Sequence, residues 1–186
     1  MRDPMKGMEM KTLIVYESMF GSTRMIAEAI AEAVRTLAVE VTVTAAADAP
    51  VDLAGYDLVI VGCPTHAHSL PRVSSREQAA DWADDPEQEL TLESSAMRPG
   101  VREWLKRLTG DGPHPRFAAF STRADVPRIF AGDAAVAIKR RLHKLDIQAD
   151  AHEDFLVDSK SHLVSGEQQR ARDWALQLIP VTSRSE

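Results

Sequence analysis

Two short stretches of the chain, Lys11–Tyr16 and Asp57–Gly62, are almost continuously apolar and β-branched, a pattern that predicts strands buried on both faces. Between them Met25, Ile26, Ala29, Ile30, Ala33, Val34 and Leu37 recur at helical spacing, with Arg24, Glu28, Glu32 and Arg35 on the opposite side. An amphipathic helix is expected there. Val39–Thr44, VEVTVT, alternates with period two and predicts a strand at a sheet edge. Phe117–Ser121 predicts a fourth strand after the turn-rich Gly110–Pro115, and the stretch Ile147–Val157 a fifth.

Helices fill the intervals. Val101, Trp104, Leu105 and Leu108 mark one, Ala135, Ile138, Leu142 and Leu145 another, and Ala171, Trp174, Ala175 and Leu178 the last. Short buried strands alternating with helices predict an α/β fold with a parallel sheet, because parallel neighbours need crossover connections that lay helices on both faces. Ligands in such sheets gather at the carboxyl ends of the strands. The informative loops therefore follow Tyr16, Gly62 and Ser121. The segment Ser74–Gly100 is charged and loses its periodicity after Trp82, so the end of a helix followed by a mobile acidic loop is expected.

Composition narrows the function classes. The formal charge of −6 comes without a basic run longer than Lys139-Arg140-Arg141, so a nucleic-acid role lacks its electrostatic footprint. No apolar stretch approaches the roughly 20 residues needed to span a bilayer. The single cysteine, Cys63, supplies neither a disulfide framework nor a thiolate metal site. It closes a buried strand and reads more readily as a small core residue than as a redox thiol. A cytoplasmic location is expected.

The first loop, ESMFGSTR, carries the strongest chemistry. Ser18, Ser22 and Thr23 supply hydroxyls, Gly21 permits close backbone approach, and the helix beginning near Ser22 directs unpaired N–H groups and its positive dipole end at the same point. That combination suits a phosphate. Neither the lysine of G-x-x-x-x-G-K-[ST] nor the three glycines of G-x-G-x-x-G is present, which favours a terminal monophosphate held without a cation. The alternative is plain helix capping by Ser18 and Ser22, which explains one hydroxyl and leaves the cluster unexplained.

LIVYESMFGSTRMIAEAIAEAV resembles the phosphate loop and first helix of the flavodoxin family, and YDLVIVGCPTHAHSLPR resembles its second flavin-contacting loop, as in actinobacterial flavodoxin-like proteins. The resemblance implies a flavodoxin-like three-layer sandwich over residues 10–181, with a five-stranded parallel sheet of order 2-1-3-4-5 and a flexible tail over residues 1–9. It implies flavin mononucleotide (FMN) as cofactor. By match to the family, Ser18, Met19, Phe20, Gly21, Ser22 and Thr23 would hold the phosphate. Pro64, Thr65, His66 and Ala67 would lie beside the ring, and Ser121, Thr122 and Arg123 would come from the third loop, with Asp125 and Arg128 as weaker candidates.

Some residues keep two readings. Arg123 either reaches the ring, where a cation would favour the anionic reduced flavin, or is a solvated loop arginine. His66 and His68 are exposed loop histidines lying along the flavin in preference to a metal pair, since no third ligand is near in sequence. The second and third loops contain no Trp, Tyr or Phe. Trp82, Trp104 and Trp174 fall at helical positions, and Phe20 and Phe130 are the aromatics near the proposed site. No glycine lies between Pro64 and Arg72. A peptide flip beside the ring would there cost on the order of 1 kcal/mol or more, which disfavours a strongly stabilised one-electron reduced flavin.

Three functions fit the sequence. The first is an electron-transfer flavoprotein serving a redox partner protein. The second is an FMN-dependent oxidoreductase of the quinone-reductase or protoporphyrinogen-oxidase type, reducing or oxidising a small organic molecule. The third is a non-redox binding module on the same fold. No catalytic residue, physiological partner or oligomeric state is specified by the sequence.

Overall fold

The structure, a computed structural model, describes residues 10–37, 39–66, 69–111, 113–127 and 131–179. The expected tail over residues 1–9 lies outside these. The chain runs β1 (Lys11–Tyr16), α1 (Ser22–Arg35), β2 (Glu40–Ala45), β3 (Leu58–Pro64), α2 (Val73–Asp84), α3 (Val101–Arg107), β4 (Arg116–Ala124), α4 (Ala134–His143), β5 (Ala149–Val157) and α5 (Glu167–Leu178). The strands form one parallel sheet of order β2-β1-β3-β4-β5, as expected for the flavodoxin-like three-layer α/β fold. The strand order reverses at β1, so the carboxyl ends of β1 and β3 open a crevice.

Alternation along each strand builds the two cores. Leu13, Val15, Val59, Val61, Phe117 and Ala119 face α3 and α4, packing on Trp104, Leu105, Ile138 and Leu142. Ile14, Ile60, Ala118, Phe120 and Phe155 face α1 and α5, packing on Ile26, Ile30, Val34, Trp174 and Leu178. Both faces of the central strands are thus dry, which accounts for their unbroken apolar sequence. No helix among the described residues is long and apolar enough to cross a membrane.

Three expectations need correction. First, Met25 and Leu37 are not core residues: they are 37% and 41% exposed. Helix α1 is wedged between the sheet and α5, so its buried arc turns to include Ala27 and Ala31, whose small side chains permit close packing on both sides. Second, β3 and β4 run further than their apolar cores, to Pro64 and Ala124, because pairing continues through Cys63–Ser121 and Pro64–Thr122.

Third, the segment after Trp82 is anchored, not a mobile acidic loop. Helix α2 continues to Asp84. The Glu93 N–H donates to the Met19 carbonyl at 2.8 Å, and Arg24 Nε lies 2.9 Å from Glu93 Oε1. Arg98 pairs with Asp48 and Lys160 with Glu89, each at 2.7 Å. Two acidic residues of this stretch, Glu89 and Glu93, thus meet cations on distant elements.

Candidate functional site

At the end of β1 the chain turns through Ser18–Gly21 into α1. Gly21 is the N-cap, at φ 99°, and no side chain caps the helix. The first helical hydrogen bond runs from the Met25 N–H to the Gly21 carbonyl at 2.9 Å. The N–H groups of Ser22, Thr23 and Arg24 find no protein acceptor among the described residues. Ser18 Oγ instead accepts the Gly21 N–H at 3.1 Å, and Ser22 Oγ donates to the Ser161 carbonyl. The capping explanation for the serine cluster is therefore overturned. The serines shape the loop, while the helix end remains uncapped beside an open cavity, a ready site for an anion.

The loop's own cation turns away. Arg24 is held charged by its hydrogen bonds to Glu28 and Glu93. An anion at the loop is met by peptide N–H groups and hydroxyls, not by a loop lysine or arginine.

The second and third loops close on the first. Thr23 Oγ1 lies 2.7 Å from Thr122 Oγ1, and the Thr65 N–H donates to the Thr122 carbonyl at 2.7 Å. Thr65 Oγ1 accepts the Ala134 N–H at 3.1 Å, which fixes the start of α4 beside the second loop. His66 and Ser69 exchange backbone hydrogen bonds of 2.9 and 3.0 Å, folding the loop back on itself. His66 is half-buried, and that burial lowers its pKa, keeping the ring neutral at pH 7. Ala67 and His68, expected beside His66, lie outside the described residues, as do Arg128 and Phe130.

Ser121 does not reach the cavity: it is fully buried and donates to Asp133 Oδ1 at 3.1 Å, the same oxygen that caps α4. Arg123 borders the cavity, but it is not a free cation. Its guanidinium pairs with buried Asp154 and also donates to the Ala124 and Val126 carbonyls at 3.1 and 2.8 Å. Asp154 offsets the charge that Arg123 would otherwise bring toward a ring.

The three loops border a cavity of about 290 Å³. Ser18, Met19, Phe20, Ser22 and Thr23 line it from the first loop, Pro64, Thr65 and His66 from the second, and Thr122 and Arg123 from the third. Gly21 lies behind this surface as the turn residue. Two contributors escaped the sequence reading. Asp158, Ser159 and Ser161, after β5, line it as well, the Ser161 carbonyl accepting from Ser22 Oγ. Trp82 borders the cavity from α2 and is 42% exposed, whereas Trp104 and Trp174 are buried. An aromatic surface thus reaches the site from a helix although the loops provide none. The available signal was helical spacing, which puts Trp82 three residues after Ala79 and seven after Ser75, on the inward side of α2.

A buried ionic group supports the first loop from below. Glu17, next after β1, accepts from Arg76 at 3.1 Å and from the Val101 N–H at 2.9 Å. Arg76 also pairs with Glu103 at 3.2 Å. Burial raises the Glu17 pKa, opposed by the Val101 N–H and by Arg76. Gly100 is required at this contact, since a Cβ there would lie 2.2 Å from the Glu17 carboxyl group.

The fold and site together define a flavodoxin-like α/β protein whose first loop ends in an uncapped helix N-terminus beside a cavity. Residues 13–76, from β1 into α2, match the family model described as the flavodoxin domain. Among solved structures, oxidised flavodoxin 1 from Bacillus cereus is 18% identical with a TM-score of 0.60, over 93% of this chain and 99% of that one. A flavodoxin from the domain Archaea is 17% identical with a TM-score of 0.57, over 91% and 96%. A flavone reductase is 13% identical with a TM-score of 0.53, over 89% of this chain and 60% of that one. Residues 13–76 are thus similar to the flavodoxin domain, and the solved structures share the flavodoxin-like fold over most of the chain.

Proposed function

We propose that the protein binds FMN at the carboxyl ends of β1, β3 and β4 and transfers electrons to a redox partner protein. The observation that carries this reading is the uncapped N-terminus of α1, with three N–H groups that find no acceptor among the described residues, beside the cavity that Pro64–His66 and Thr122 border. The residues fit the cofactor. The Ser22–Arg24 amides and the Ser18 and Thr23 hydroxyls would hold the phosphate, with Trp82 and neutral His66 offering surface to the ring. The flavin, once bound, supplies the redox chemistry, and the protein sets its orientation and exposure. Arg123, already paired with Asp154, adds little net positive charge beside the ring.

The deciding experiment is titration of the apo-protein with FMN and riboflavin, followed by flavin fluorescence and visible absorbance, then stepwise anaerobic reduction. Tight FMN binding, weaker riboflavin binding and uptake of electrons singly are expected. A protein that stays colourless in excess FMN would overturn the cofactor and leave a non-redox module on this fold.

A second reading, an FMN-dependent oxidoreductase for a small organic acceptor, is favoured by one feature. The cavity has a side wall, formed by Trp82, that could flank an organic substrate. Electron uptake in pairs, with turnover of a quinone, would select it.

A further inference from the structure

Strand β5 lies at the edge of the sheet, and only part of its outer side is covered. From Asp154 onward its outward groups are satisfied. The Asp154 N–H donates to Glu153 Oε1 and its carbonyl accepts from Arg170. The Leu156 N–H donates to Glu167 Oε2, and its carbonyl accepts from the Val164 N–H at 3.0 Å. Strand periodicity turns the His152 main chain to the same side as Asp154 and Leu156. No hydrogen bond from another element covers it there among the described residues.

Beside this open stretch runs a groove of about 410 Å³ between α4 and β5, bordered by Lys139, Arg140, His143 and His152. Among the described residues, Lys139, Arg140, Arg141 and Lys144 have no carboxylate partner, in a chain of net charge −6. The nearby carboxylates of β5 are already taken: Asp150 pairs with Arg116 at 2.7 Å and Glu153 with Arg170 at 3.3 Å. Lys139 Nζ donates to His152 Nδ1 at 3.3 Å, which orients the imidazole and leaves the ammonium two further protons. The last turn of α4 gains from basic residues, but that accounts for Arg140, Arg141 and His143, not for Lys139 facing an open strand edge.

We propose that this groove takes up an extended acidic peptide segment of a partner protein, its main chain pairing with β5 at His152 and its carboxylates meeting Lys139 and Arg140. Strand addition provides main-chain hydrogen bonds, and side-chain pockets on alternate residues provide selectivity. Here the His152 main chain offers the hydrogen bonds, and Lys139 and Arg140 offer the selectivity for carboxylates. Lysines beside an edge also discourage unspecific pairing, and here they would select acidic strands against apolar ones. The site lies away from the first-loop cavity, so it is independent of the flavin proposal.

The test uses the full chain and a fluorescein-labelled peptide of four Glu-Val repeats, read by anisotropy at low salt. Binding is expected, with at least tenfold loss in the double variant K139E/R140E and in a peptide N-methylated at alternate residues. In the unaltered chain, amide exchange at His152 should slow when the peptide is present. The proposal is overturned if a Lys-Val peptide binds equally, if the double variant binds unchanged, or if N-methylation has no effect. Full displacement by inorganic phosphate would also overturn it, showing an anion patch only. Unchanged thermal unfolding of K139E/R140E establishes that the variant is folded.

Discussion

The hydroxyls of Thr23 and Thr122 lie 2.7 Å apart, joining the first turn of α1 to the end of β4 across the mouth of the site. One of the two protons is used in this contact, and the other is free for a ligand oxygen. Thr23→Val removes one hydroxyl of the pair, leaving at most one proton for both roles, without changing side-chain shape. FMN affinity should fall by about 1 kcal/mol or more, because a hydrogen bond to a charged acceptor is lost. Riboflavin affinity should be nearly unchanged, and parallel fluorescence titrations of the two ligands check it. Equal weakening of both would place the phosphate elsewhere.

Trp82 makes the opposite prediction. Its indole borders the cavity and, in the proposed binding mode, offers surface to the ring, so Trp82→Leu should weaken FMN and riboflavin alike, by about 1 kcal/mol. The exposed, longer-wavelength part of the tryptophan emission should be quenched by FMN in the parent chain and be missing from the variant, since Trp104 and Trp174 are buried. An unchanged riboflavin affinity would remove Trp82 from the ring site.

The contrast between these residues shows what the sequence could disclose. Thr23 sits in a local motif, where strand, glycine and helix start are contiguous, so its place was legible. The parallel sheet follows from buried strands alternating with helices, and its strand order from the resemblance of the first two loops. Trp82 reaches the cavity through the tertiary placement of α2, which is tied to the end of β1 by the Arg76–Glu17 contact, 59 residues apart in sequence. Ser161 and Glu93 were illegible for the same reason: each meets the first loop from a segment with no local pattern. Arg123 was in the right loop, but its role depended on Asp154, which nothing in the strand's composition marks as its partner.

Gly21 tests the loop's backbone. At φ 99° an L-residue is strained, and an added Cβ would meet Glu93 Oε1 at 3.3 Å. Gly21→Ala should therefore cost about 1–2 kcal/mol of stability, measurable as a lower urea midpoint. FMN should weaken as well, because the Ser22–Arg24 amides are re-aimed. A variant of unchanged stability would contradict the left-handed N-cap.

Cys63 is fully buried in β3, and burial pushes its thiol pKa well above the usual value. A thiol reagent at pH 8 should label the folded chain only at the rate of unfolding, and label it at once in denaturant. Rapid labelling of the native chain would reopen the redox reading of this cysteine.

The Glu17–Arg76 pair gives a pH signature. Glu17 has a folded pKa raised above 4.5 by burial, so the folded state holds its proton more tightly than the unfolded chain. Its contribution to stability is therefore fully present below 4.5 and is lost as pH rises through the folded value. Arg76 restrains this rise. Arg76→Met keeps the apolar stem but leaves a buried carboxylate without its cation, a change that costs about 3–5 kcal/mol where the carboxylate is ionised. The Glu17 pKa should then climb further, so the deficit of Arg76→Met against the parent chain should widen between pH 5 and pH 8 in urea unfolding. Adding Glu17→Gln to Arg76→Met removes the buried charge, and the double variant should regain stability at pH 8 while losing the pH dependence. A deficit constant across that range would mean that Arg76 acts at this position through packing or Glu103, with Glu17 indifferent to its charge.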